Sequence, residues 1–442
     1  MNPSIVRYVG LDVHKRVVEA CIVDSQGKVL FRERFALTRR VLELVAEKHL
    51  RPTDKVAMEA TTNCWAVADL LRPRVAEVVV SNPLATKAIA TAKVKTDKVD
   101  AYVLAQLLRC DFLPRVWQPD EASRLLRELC RRRSALTGQR TKLRNRIHSA
   151  LAMRLIVPNT SQLFRDEGLE WLRAVELDAQ ARLLVDSDLR QLASLQKEIE
   201  LLDAEIARRG YQSQAVKILM TLPGVDTVTA TAIMAAWGDV QRFRDGDHAT
   251  SYLGLAPSTR QSADHCYHGP ITKRGNSLAR WMLIEAAQHL DKNPGPLGSF
   301  FRRLLRKKTR NVAVVAAARK LAWIGWHLVA RNEPYRYAIP SSTQAKLSRL
   351  RLKATGQRRR GGMAKGQKAT AKLAGGSRTI KPLAEVCRAE GLPEPTLLRP
   401  GEERTIRRAG CQQFVARIST VQVVPRGTGS SSLLRRNGHA RN

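Results

Sequence analysis

Short apolar runs and amphipathic stretches alternate from residue 8 to about residue 110, and this order restricts the fold more than any other feature. Three strand candidates come first, "YVGLDV", "VVEACIVD" and "KVLFRERFA", with a Ser-Gln-Gly turn before the third. Helical "RRVLELVAEKHL", strand "KVAMEA", helical "CWAVADLL" and strand "AEVVV" follow, and a helix in "VKTDKVDAYVLAQLL" closes the series. The order β-β-β-α-β-α-β-α predicts an α/β sheet of mixed direction that begins with an antiparallel meander.

The charge of the chain indicates a polyanionic partner. Lys and Arg total 76 against 40 Asp and Glu, which gives a formal net charge of +36. Nucleic acid is the first candidate, because Lys and Arg displace counterions condensed on phosphates, and an anionic membrane is the second. No apolar run approaches the roughly 20 residues that span a bilayer, and the N-terminus lacks a signal segment. The 7 scattered cysteines form no C-x-x-C pair, which predicts a reducing cytoplasm rather than a zinc ribbon or disulfide framework.

Two stretches after the α/β segment have the heptad pattern of long helices. In "DLRQLASLQKEIELLDAEIARRG" the apolar residues are spaced 3, 4, 3, 4, which is typical of a coiled-coil seam. An earlier run keeps a seven-residue period through "LRELCRRRSALTGQRTKLRNRI". The residues concerned are Leu192, Leu195, Ile199, Leu202 and Ile206, and Leu129, Leu136 and Leu143. The two helices either pair antiparallel within the chain or mediate self-association.

The composition divides the chain into four predicted segments. Residues 1–115 form the α/β domain, 116–212 a helical coiled-coil linker and 213–338 a mostly α-helical domain that opens at "ILMTLPGVDTVTATAIMAAWGD". Residues 341–442 contain 22 Lys and Arg and only 5 Asp and Glu. We therefore predict a basic, largely disordered tail over 339–442, in which "PLAEVCRAEGL" and "CQQFVARISTVQVV" are segments that order on binding.

Four carboxylates occur where the predicted strands and the closing helix could present them together. Asp12 lies in the first strand and Glu59 at the end of "KVAMEA", while Asp97 and Asp100 share one face of the helix. Taken singly, strand-end acids face solvent, and Asp97 and Asp100 complement a helix N-terminus that Thr96 caps. Four converging carboxylates would repel each other unless cations neutralise them. Mg²⁺ or Mn²⁺ suits such oxygen ligands, and two ions roughly 3.5–4 Å apart can promote phosphodiester cleavage.

These motifs resemble the DEDD transposases of the insertion-sequence-110 family. "GLDVHK", "MEATTNCWAVADLL", "SNPLATKAIA" and "VKTDKVDAYVLA" match its N-terminal domain, and the resemblance implies a RuvC-like, ribonuclease H-like fold with the tetrad Asp12, Glu59, Asp97 and Asp100. "LMTLPGVDTVTATAIMAAWGDVQRF", "YLGLAPSTRQS", "ITKRGNSLARWMLIEAA" and "VAVVAAARKLAW" are similar to its C-terminal transposase domain. The resemblance covers about residues 7 to 335.

The resemblance also implies a serine nucleophile in the segment after "GLAP". The matching residue is Ser262, which would attack a DNA phosphate and hold it covalently while strands are exchanged. This role requires the two domains to meet, across a dimer. The family commonly has glycine after this serine, whereas Ala263 stands here, and Ser258 and Thr259 are nearby competitors for the role. Without the resemblance, a serine in such a loop is a surface turn residue.

Two further segments are candidates for phosphate contact. "LPGVDTVTA", which contains Gly224, resembles a helix-hairpin-helix turn, and its alternative is an ordinary helix N-terminus with Pro and Gly. A basic turn contains Lys273, Arg274 and Asn276, with Arg280 in the next helix. A solvated basic face is the alternative for this turn.

The resemblance implies a DNA transposase or recombinase of a mobile insertion element, guided by a structured noncoding RNA and forming a homodimer or tetramer through the coiled coil. We expect a DNA-associated protein of the bacterial or archaeal cytoplasm with no membrane partner. A RuvC-like, structure-specific endonuclease that uses water attack is one alternative. A non-catalytic nucleic-acid-binding derivative is another. "VGLDVHK" also weakly resembles the first phosphate strand of sugar kinases, but no second Gly-rich phosphate loop follows.

Overall fold

The structure is a computed structural model that describes residues 6–89, 96–262, 265–357, 377–398 and 401–425. It divides into two compact units, Met1–Pro119 and Asp120–Asn442, here called the N-terminal and C-terminal units. This division is coarser than the four segments expected from the sequence, so the inner boundaries of those segments stay predictions.

The N-terminal unit is built on a five-stranded sheet with the order β3-β2-β1-β4-β5. Strand β2 runs antiparallel to β1 and β3, whereas β4 runs parallel to β1 and β5. The predicted mixed sheet with an initial antiparallel meander is therefore confirmed. Its elements are β1 (Tyr8–Val13), β2 (Val17–Val23), β3 (Val29–Ala36), α1 (Arg39–His49), β4 (Lys55–Glu59), α2 (Cys64–Leu71), β5 (Glu77–Ser81), α3 (Pro83–Ile89) and α4 (Asp97–Arg109).

Alternation along β1 sends successive side chains to opposite faces of this sheet. Val9 and Leu11 are buried in a cluster with residues of α1 and α2. The other face is covered by α4, whose Ala101 and Ala105 are fully buried against the sheet. Both faces of the central strands are thus apolar and covered, as expected for parallel strands in an α/β layer.

Helix α3 is an element that the sequence analysis did not predict. It follows β5 directly and begins at Pro83, a residue favoured in the first turn of a helix. The Asn82 side chain accepts hydrogen bonds from the backbone N–H groups of Leu84 and Ala85, which supports that first turn. Residues 94 and 95, which precede α4 in the sequence motif, lie outside the described residues.

The C-terminal unit is mostly helical, with one hairpin and one further pair of antiparallel strands among its described residues. Three polar contacts join α5 to α7, Arg133–Asp203, Arg140–Gln196 and Arg146–Asp188, and their numbering shows that the two helices pair antiparallel within the chain. The elements are α5 (Glu121–Ala152), α6 (Asp166–Ala174), α7 (Ala179–Gln212), α8 (Gln214–Leu219), α9 (Thr227–Trp237), α10 (Gly246–Tyr252), β6 (Pro257–Ser262), β7 (His265–Ile271), α11 (Ser277–Ala287), α12 (Pro296–Leu305), α13 (Arg310–Ala330), α14 (Pro340–Thr355), β8 (Ser377–Ile380), α15 (Leu383–Ala389), α16 (Glu402–Arg408), α17 (Gln412–Ile418) and β9 (Gln422–Pro425).

Helix α13 lies in the core of the C-terminal unit. Within the described part of the chain it is the helix that is long and apolar enough to cross a membrane by length and composition. Its Ala317, Ala318 and Leu321 are fully buried in the same cluster as Trp237 of α9. The buried Trp237 ring N–H donates to the carbonyl of Ala249 in α10. The apolar character of α13 is accounted for by this packing.

The prediction of a largely disordered tail over 339–442 is wrong for much of its length. Residues 340–355 form α14, whose Leu347 and Leu350 are buried in the core of the C-terminal unit. The segments "PLAEVCRAEGL" and "CQQFVARISTVQVV" contain α15 and α17, and Cys387 of α15 belongs to that core. The high positive charge averaged over residues 341–442 drew attention away from a few regularly spaced apolar residues. These are sufficient to anchor short helices. Residues 358–376 and 426–442 lie outside the described residues.

Candidate active site

Strands β1 and β4 place Asp12 and Glu59 on the same face of the sheet. The strands are parallel neighbours, and Leu11 pairs with Met58, the residue just before Glu59. Leu11 and Met58 both face the α1 and α2 side, so the next residue of each strand turns toward the side covered by α4. The two carboxylates therefore follow from strand pairing and register.

Helix α4 brings two more carboxylates to this face. Thr96 caps the helix, its hydroxyl accepting from the backbone N–H of Val99 at 3.4 Å, and Asp97 and Asp100 lie in the first turn. The helix packs closely on β1, because a Cβ on Gly10 would lie 1.9 Å from the carbonyl oxygen of Ala101. Capping by Thr96 therefore leaves the carboxylates of Asp97 and Asp100 available for the predicted metal site in the same turn.

His14 joins the strand acid to the helix acid. Its Nε2 lies 3.1 Å from Oδ2 of Asp12 and 3.4 Å from Oδ1 of Asp97. The ligand atoms of Asp12, His14 and Asp97 all lie within 4.8 Å of one another, and among the described residues this tight group does not include Glu59 or Asp100. His14 was not among the site residues predicted from the sequence, although the Asp-x-His spacing at a strand end places both side chains on one face and could have identified it.

The electrostatics of Asp12 favour a cation at this position. Burial raises the pKa of the Asp12 carboxyl, and the charges of Asp100 and Asp97 raise it further, while His14 opposes the shift. Carboxylates held this close resist being ionised together unless positive charge is present. Carboxylate oxygens with one imidazole nitrogen form a donor set that Mg²⁺ or Mn²⁺ can use, with the nitrogen favouring the softer Mn²⁺. The residues present thus fit a divalent metal ion.

Ser262 lies at the tip of a hairpin in the C-terminal unit. It is the last residue of β6 and pairs with His265 of β7, and its side chain is exposed. Ala263, the departure from the family pattern, lies outside the described residues. Of the competitors, Ser258 donates its hydroxyl hydrogen to the carbonyl of Pro270 at 3.0 Å, and Thr259 pairs with His268 inside the hairpin. Ser262 is therefore the one of these three at the loop end.

The basic turn after β7 has both structural and exposed residues. Asn276 caps α11 by accepting from the N–H of Ala279, and Arg280 donates to the carbonyl of Leu253. Lys273 and Arg274 are exposed. The structure thus gives Asn276 and Arg280 packing roles within the unit, while the two preceding cations face solvent.

Gly224 lies in the turn between α8 and α9 and requires glycine on two grounds. Its φ is +76°, and a Cβ there would lie 2.2 Å from the carbonyl oxygen of Ala286 in α11. Asp226 caps α9 by accepting from the N–H of Thr229 at 2.8 Å. The helix, turn and helix of the predicted motif are present, and the carboxylate of Asp226 occupies the start of the second helix.

An exposed basic cluster, Arg303, Arg306, Lys307 and Lys308, lies at the end of α12. It was not predicted from the sequence, although the density of Arg and Lys in "RRLLRKKTR" could have indicated it. Among the described residues, no ion pair to a carboxylate is found for its members. Arg302 and Arg310 at its two ends instead donate to the backbone carbonyls of Asn293 and Gln288.

Comparison with known proteins gives matches in both halves of the chain. A family model described as a transposase matches residues 9–154, and a model of the IS116/IS110/IS902 transposase family matches residues 216–296. A putative transposase of Sinorhizobium fredii, y4qE, is 27% identical over 72% of this chain and 78% of its own length. The transposase of insertion sequence element IS1111A from Coxiella burnetii is 25% identical over 75% of this chain and 92% of its own. The pilin gene-inverting protein of Moraxella bovis is 25% identical over 74% and 97%.

The chain has a mixed α/β unit with clustered carboxylates, followed by a helical unit. The matches identify this architecture as that of a transposase, a class of protein that acts on DNA. The two matched segments are both described as transposase segments, and the names of both models include IS110. The chain belongs to the IS110 family of transposases.

Proposed function

We propose that this transposase cuts and exchanges DNA strands with a metal-bound tetrad of Asp12, Glu59, Asp97 and Asp100 and a serine nucleophile, Ser262. The observation that carries the proposal is the group formed by Asp12, His14 and Asp97, whose ligand atoms lie within 4.8 Å of one another. The strand order β3-β2-β1-β4-β5, with β2 antiparallel to its neighbours, supports a ribonuclease H-like, RuvC-like N-terminal domain.

Asp12 and Asp97 would hold the metal with His14. Glu59, from β4, and Asp100, from the first turn of α4, would complete the ligand set. When bound, Mg²⁺ or Mn²⁺, as one ion or a pair, supplies positive charge to the scissile phosphate and lowers the proton affinity of an attacking hydroxyl. The chain's own contribution is positional. Strand register and the close packing of α4 on Gly10 fix where the carboxylates converge.

The serine step requires a hydroxyl at an exposed position, and the exposed side chain of Ser262 supports its assignment. Its Oγ would attack the phosphorus, the bond from phosphorus to one strand oxygen would break, and the Oγ proton would end on the departing strand hydroxyl. The other strand end stays joined to the serine until a new strand hydroxyl displaces it. Ser258, which already donates to the carbonyl of Pro270, is a weaker candidate for this role.

The polyanionic partners would be DNA and a structured guide RNA from the same mobile element, in the cytoplasm. The exposed cluster Arg303, Arg306, Lys307 and Lys308 supports phosphate contact, as do Lys273 and Arg274. Helix α5 adds Arg131 and Lys142, which lie eleven residues apart on one exposed helical face. Contacts of this kind recognise backbone and shape, which suits an RNA that itself reads sequence by base pairing. The α5 and α7 helices are also the proposed route to a dimer or tetramer.

A RuvC-like endonuclease that uses water attack is the second candidate, because the carboxylate group alone would be sufficient for it. The deciding experiment incubates the full chain, Mg²⁺ and a plasmid that carries the coding sequence with its flanking DNA and transcript. Wild type should yield recombined DNA and a covalent protein–DNA adduct that maps to Ser262. Ser262→Ala should yield neither, while Ser258→Ala, the matched control in the same hairpin, should yield both.

Two outcomes would contradict the proposal. Full recombination by Ser262→Ala would exclude the covalent step and favour water attack. Full recombination by Asp97→Asn would exclude the tetrad, and a chain that binds DNA but leaves it uncut would be a non-catalytic derivative. Removal of the flanking transcript tests the guide RNA separately, because recombination should then fail although the adduct-forming serine is intact.

A further inference from the structure

A cavity of about 180 Å³ lies beside the turn that contains Gly224, within the C-terminal unit. Its walls come from that turn, from the segment after α11 that contains His289 and Lys292, and from the first two turns of α14. The volume is comparable to that of cavities that accept a benzene-sized molecule, roughly 150 Å³. None of the residues that line this cavity belongs to the carboxylate site or to the serine hairpin. Gly224 alone had been predicted from the sequence, as a candidate for phosphate contact.

The charged groups in the cavity wall are cations, set among apolar side chains such as Leu290 and Ile339. Lys346, Lys292 and His289 contribute to it, and no carboxylate is among its lining residues in the described part of the chain. Nζ of Lys346 donates to the carbonyls of Leu222 and Val225 at 2.7 and 3.0 Å. These two bonds fix the ammonium at the turn and leave one of its three donors for a ligand.

Helix α14 adds two independent features. It begins at Pro340 without a side-chain cap, so the positive end of a 16-residue helix lies at the cavity, with Ser342 and Thr343 in the lining. Thr343 is only 1% exposed and lines the cavity. A ligand oxygen in the cavity would therefore lie within reach of its hydroxyl, which can donate a hydrogen bond.

We infer that this cavity binds a phosphate group of a nucleotide, held by Lys346, Thr343 and the first turn of α14. A phosphate offers only acceptor oxygens and negative charge, which matches the cations and donors among the lining residues. Desolvation lowers the pKa of Lys346 to about 7, and a bound phosphate would hold the ammonium in its charged form. The choice of a nucleotide as the source rests on the proposed function, whereas the phosphate chemistry does not.

The cavity also suggests a role for α14, the first helix of the basic C-terminal segment. Residues 340–346 close one wall of the cavity, and the buried Leu347 and Leu350 anchor that wall to the core. The exposed cluster Arg303 to Lys308 lies on the same unit, in a segment whose Arg302 donates to the carbonyls of Asp291 and Asn293 beside the cavity wall. Strand phosphates attracted by the cluster would thus be brought to the segment that borders the cavity.

Isothermal titration of the full chain tests the inference with three probes: inorganic phosphate, deoxyadenosine 5′-monophosphate, and a hexanucleotide with or without a 5′-phosphate. We expect the monophosphate and the phosphorylated hexanucleotide to bind. Lys346→Met should weaken both by about tenfold, because it removes a charged hydrogen bond. Thr343→Val, which keeps the shape of the side chain, should weaken them by about threefold. Binding of inorganic phosphate with the same sensitivity would show that the phosphate alone is recognised, and its failure to bind would identify the nucleotide as the source.

Lys197→Met is the matched control, since it removes one positive charge from an exposed position of α7 and none from the cavity. It should leave monophosphate binding unchanged. Equal weakening by Lys197→Met and Lys346→Met would overturn the inference, as would the absence of binding by all phosphate probes at millimolar concentration. If Lys346→Met does not fold, Thr343→Val decides. The titration is repeated with Asp97→Asn, which the proposed function predicts to be inactive in recombination but which should still bind phosphate. If wild type binds phosphate but does not recombine DNA, the proposed function is rejected and the cavity site is kept.

Discussion

Gly10 of β1 lies directly against the carbonyl group of Ala101 in α4, at a distance that leaves no room for a side chain. A Cβ built on Gly10 would be 1.9 Å from the Ala101 oxygen and 2.7 Å from the backbone nitrogen of Ala105. Because α4 also begins with Asp97 and Asp100, this one contact sets how far the helix carboxylates stand from Asp12. The glycine in "VGLDVHK" is therefore part of the geometry of the candidate active site.

Replacing Gly10 by alanine should displace α4 and destabilise the N-terminal unit. Overpacking of a tight core typically costs about 1–3 kcal/mol, and backbone atoms cannot move aside as a flexible side chain can. We expect a lower midpoint of denaturant unfolding and loss of strand cleavage. The matched control is Gly138→Ala, at an exposed position of α5 where nothing lies within 4 Å of the added Cβ. That substitution should stabilise the helix by about 0.5–1 kcal/mol. Equal effects of the two substitutions would contradict the role of the contact.

Asp12→Asn should abolish strand cleavage at every Mg²⁺ and Mn²⁺ concentration. The amide cannot supply the negative charge of the Asp12 carboxylate, which lies near Asp97 and Asp100. In wild type the metal ion would neutralise all three carboxylates together. Binding of the metal, measured by Mn²⁺ relaxation enhancement of water protons, should fall in parallel with cleavage. Glu43→Gln serves as the control, because Glu43 forms only an i,i+4 ion pair with Arg39 on α1. Retained metal binding in Asp12→Asn would place the ion elsewhere.

His14→Ala should change the metal preference of the reaction. An imidazole nitrogen suits Mn²⁺ better than Mg²⁺, so the loss of His14 should reduce Mn²⁺-supported cleavage more than Mg²⁺-supported cleavage. If the imidazole only bridges Asp12 and Asp97 by hydrogen bonds, both ions should be affected alike. The ratio of the two rates, measured on the same DNA, separates these roles. His49→Ala, which removes a stacked histidine from the opposite side of the sheet, should leave the ratio unchanged.

The sequence predicted the sheet, which the structure confirms, and the tetrad, which stays a prediction, because both follow from local patterns. Three strand candidates joined by short turns predict a meander, and strand-end acids in neighbouring strands predict a shared edge. The role of His14 was harder to see, since it depends on how close α4 approaches β1, and that distance is decided by Gly10 rather than by any property of the histidine.

The tail was misjudged because charge was averaged over a hundred residues. Leu347 and Leu350 are few among many cations, yet both are buried. Lys346, just before Leu347, donates hydrogen bonds to two backbone carbonyls of the C-terminal unit. Such a lysine cannot be told from a solvated one by composition. The packing partner, the turn around Gly224, is more than a hundred residues away in the chain.

Lys346 should make the stability of the C-terminal unit depend on pH. Its pKa is lowered to about 7 by desolvation, with Asp226 opposing the shift and Arg349 adding to it, whereas an unfolded chain releases the proton near pH 10. Between these values the unfolded state binds more protons, so the contribution of Lys346 to the free energy of unfolding rises with pH. In phosphate-free buffer, the free energy of unfolding of wild type minus that of Lys346→Met should increase by about 1 kcal/mol per unit between pH 7 and 9. The same difference for Lys292→Met, an exposed lysine of the same cavity, should stay level, and a level difference for Lys346→Met would show that the ammonium remains charged in its two-carbonyl site.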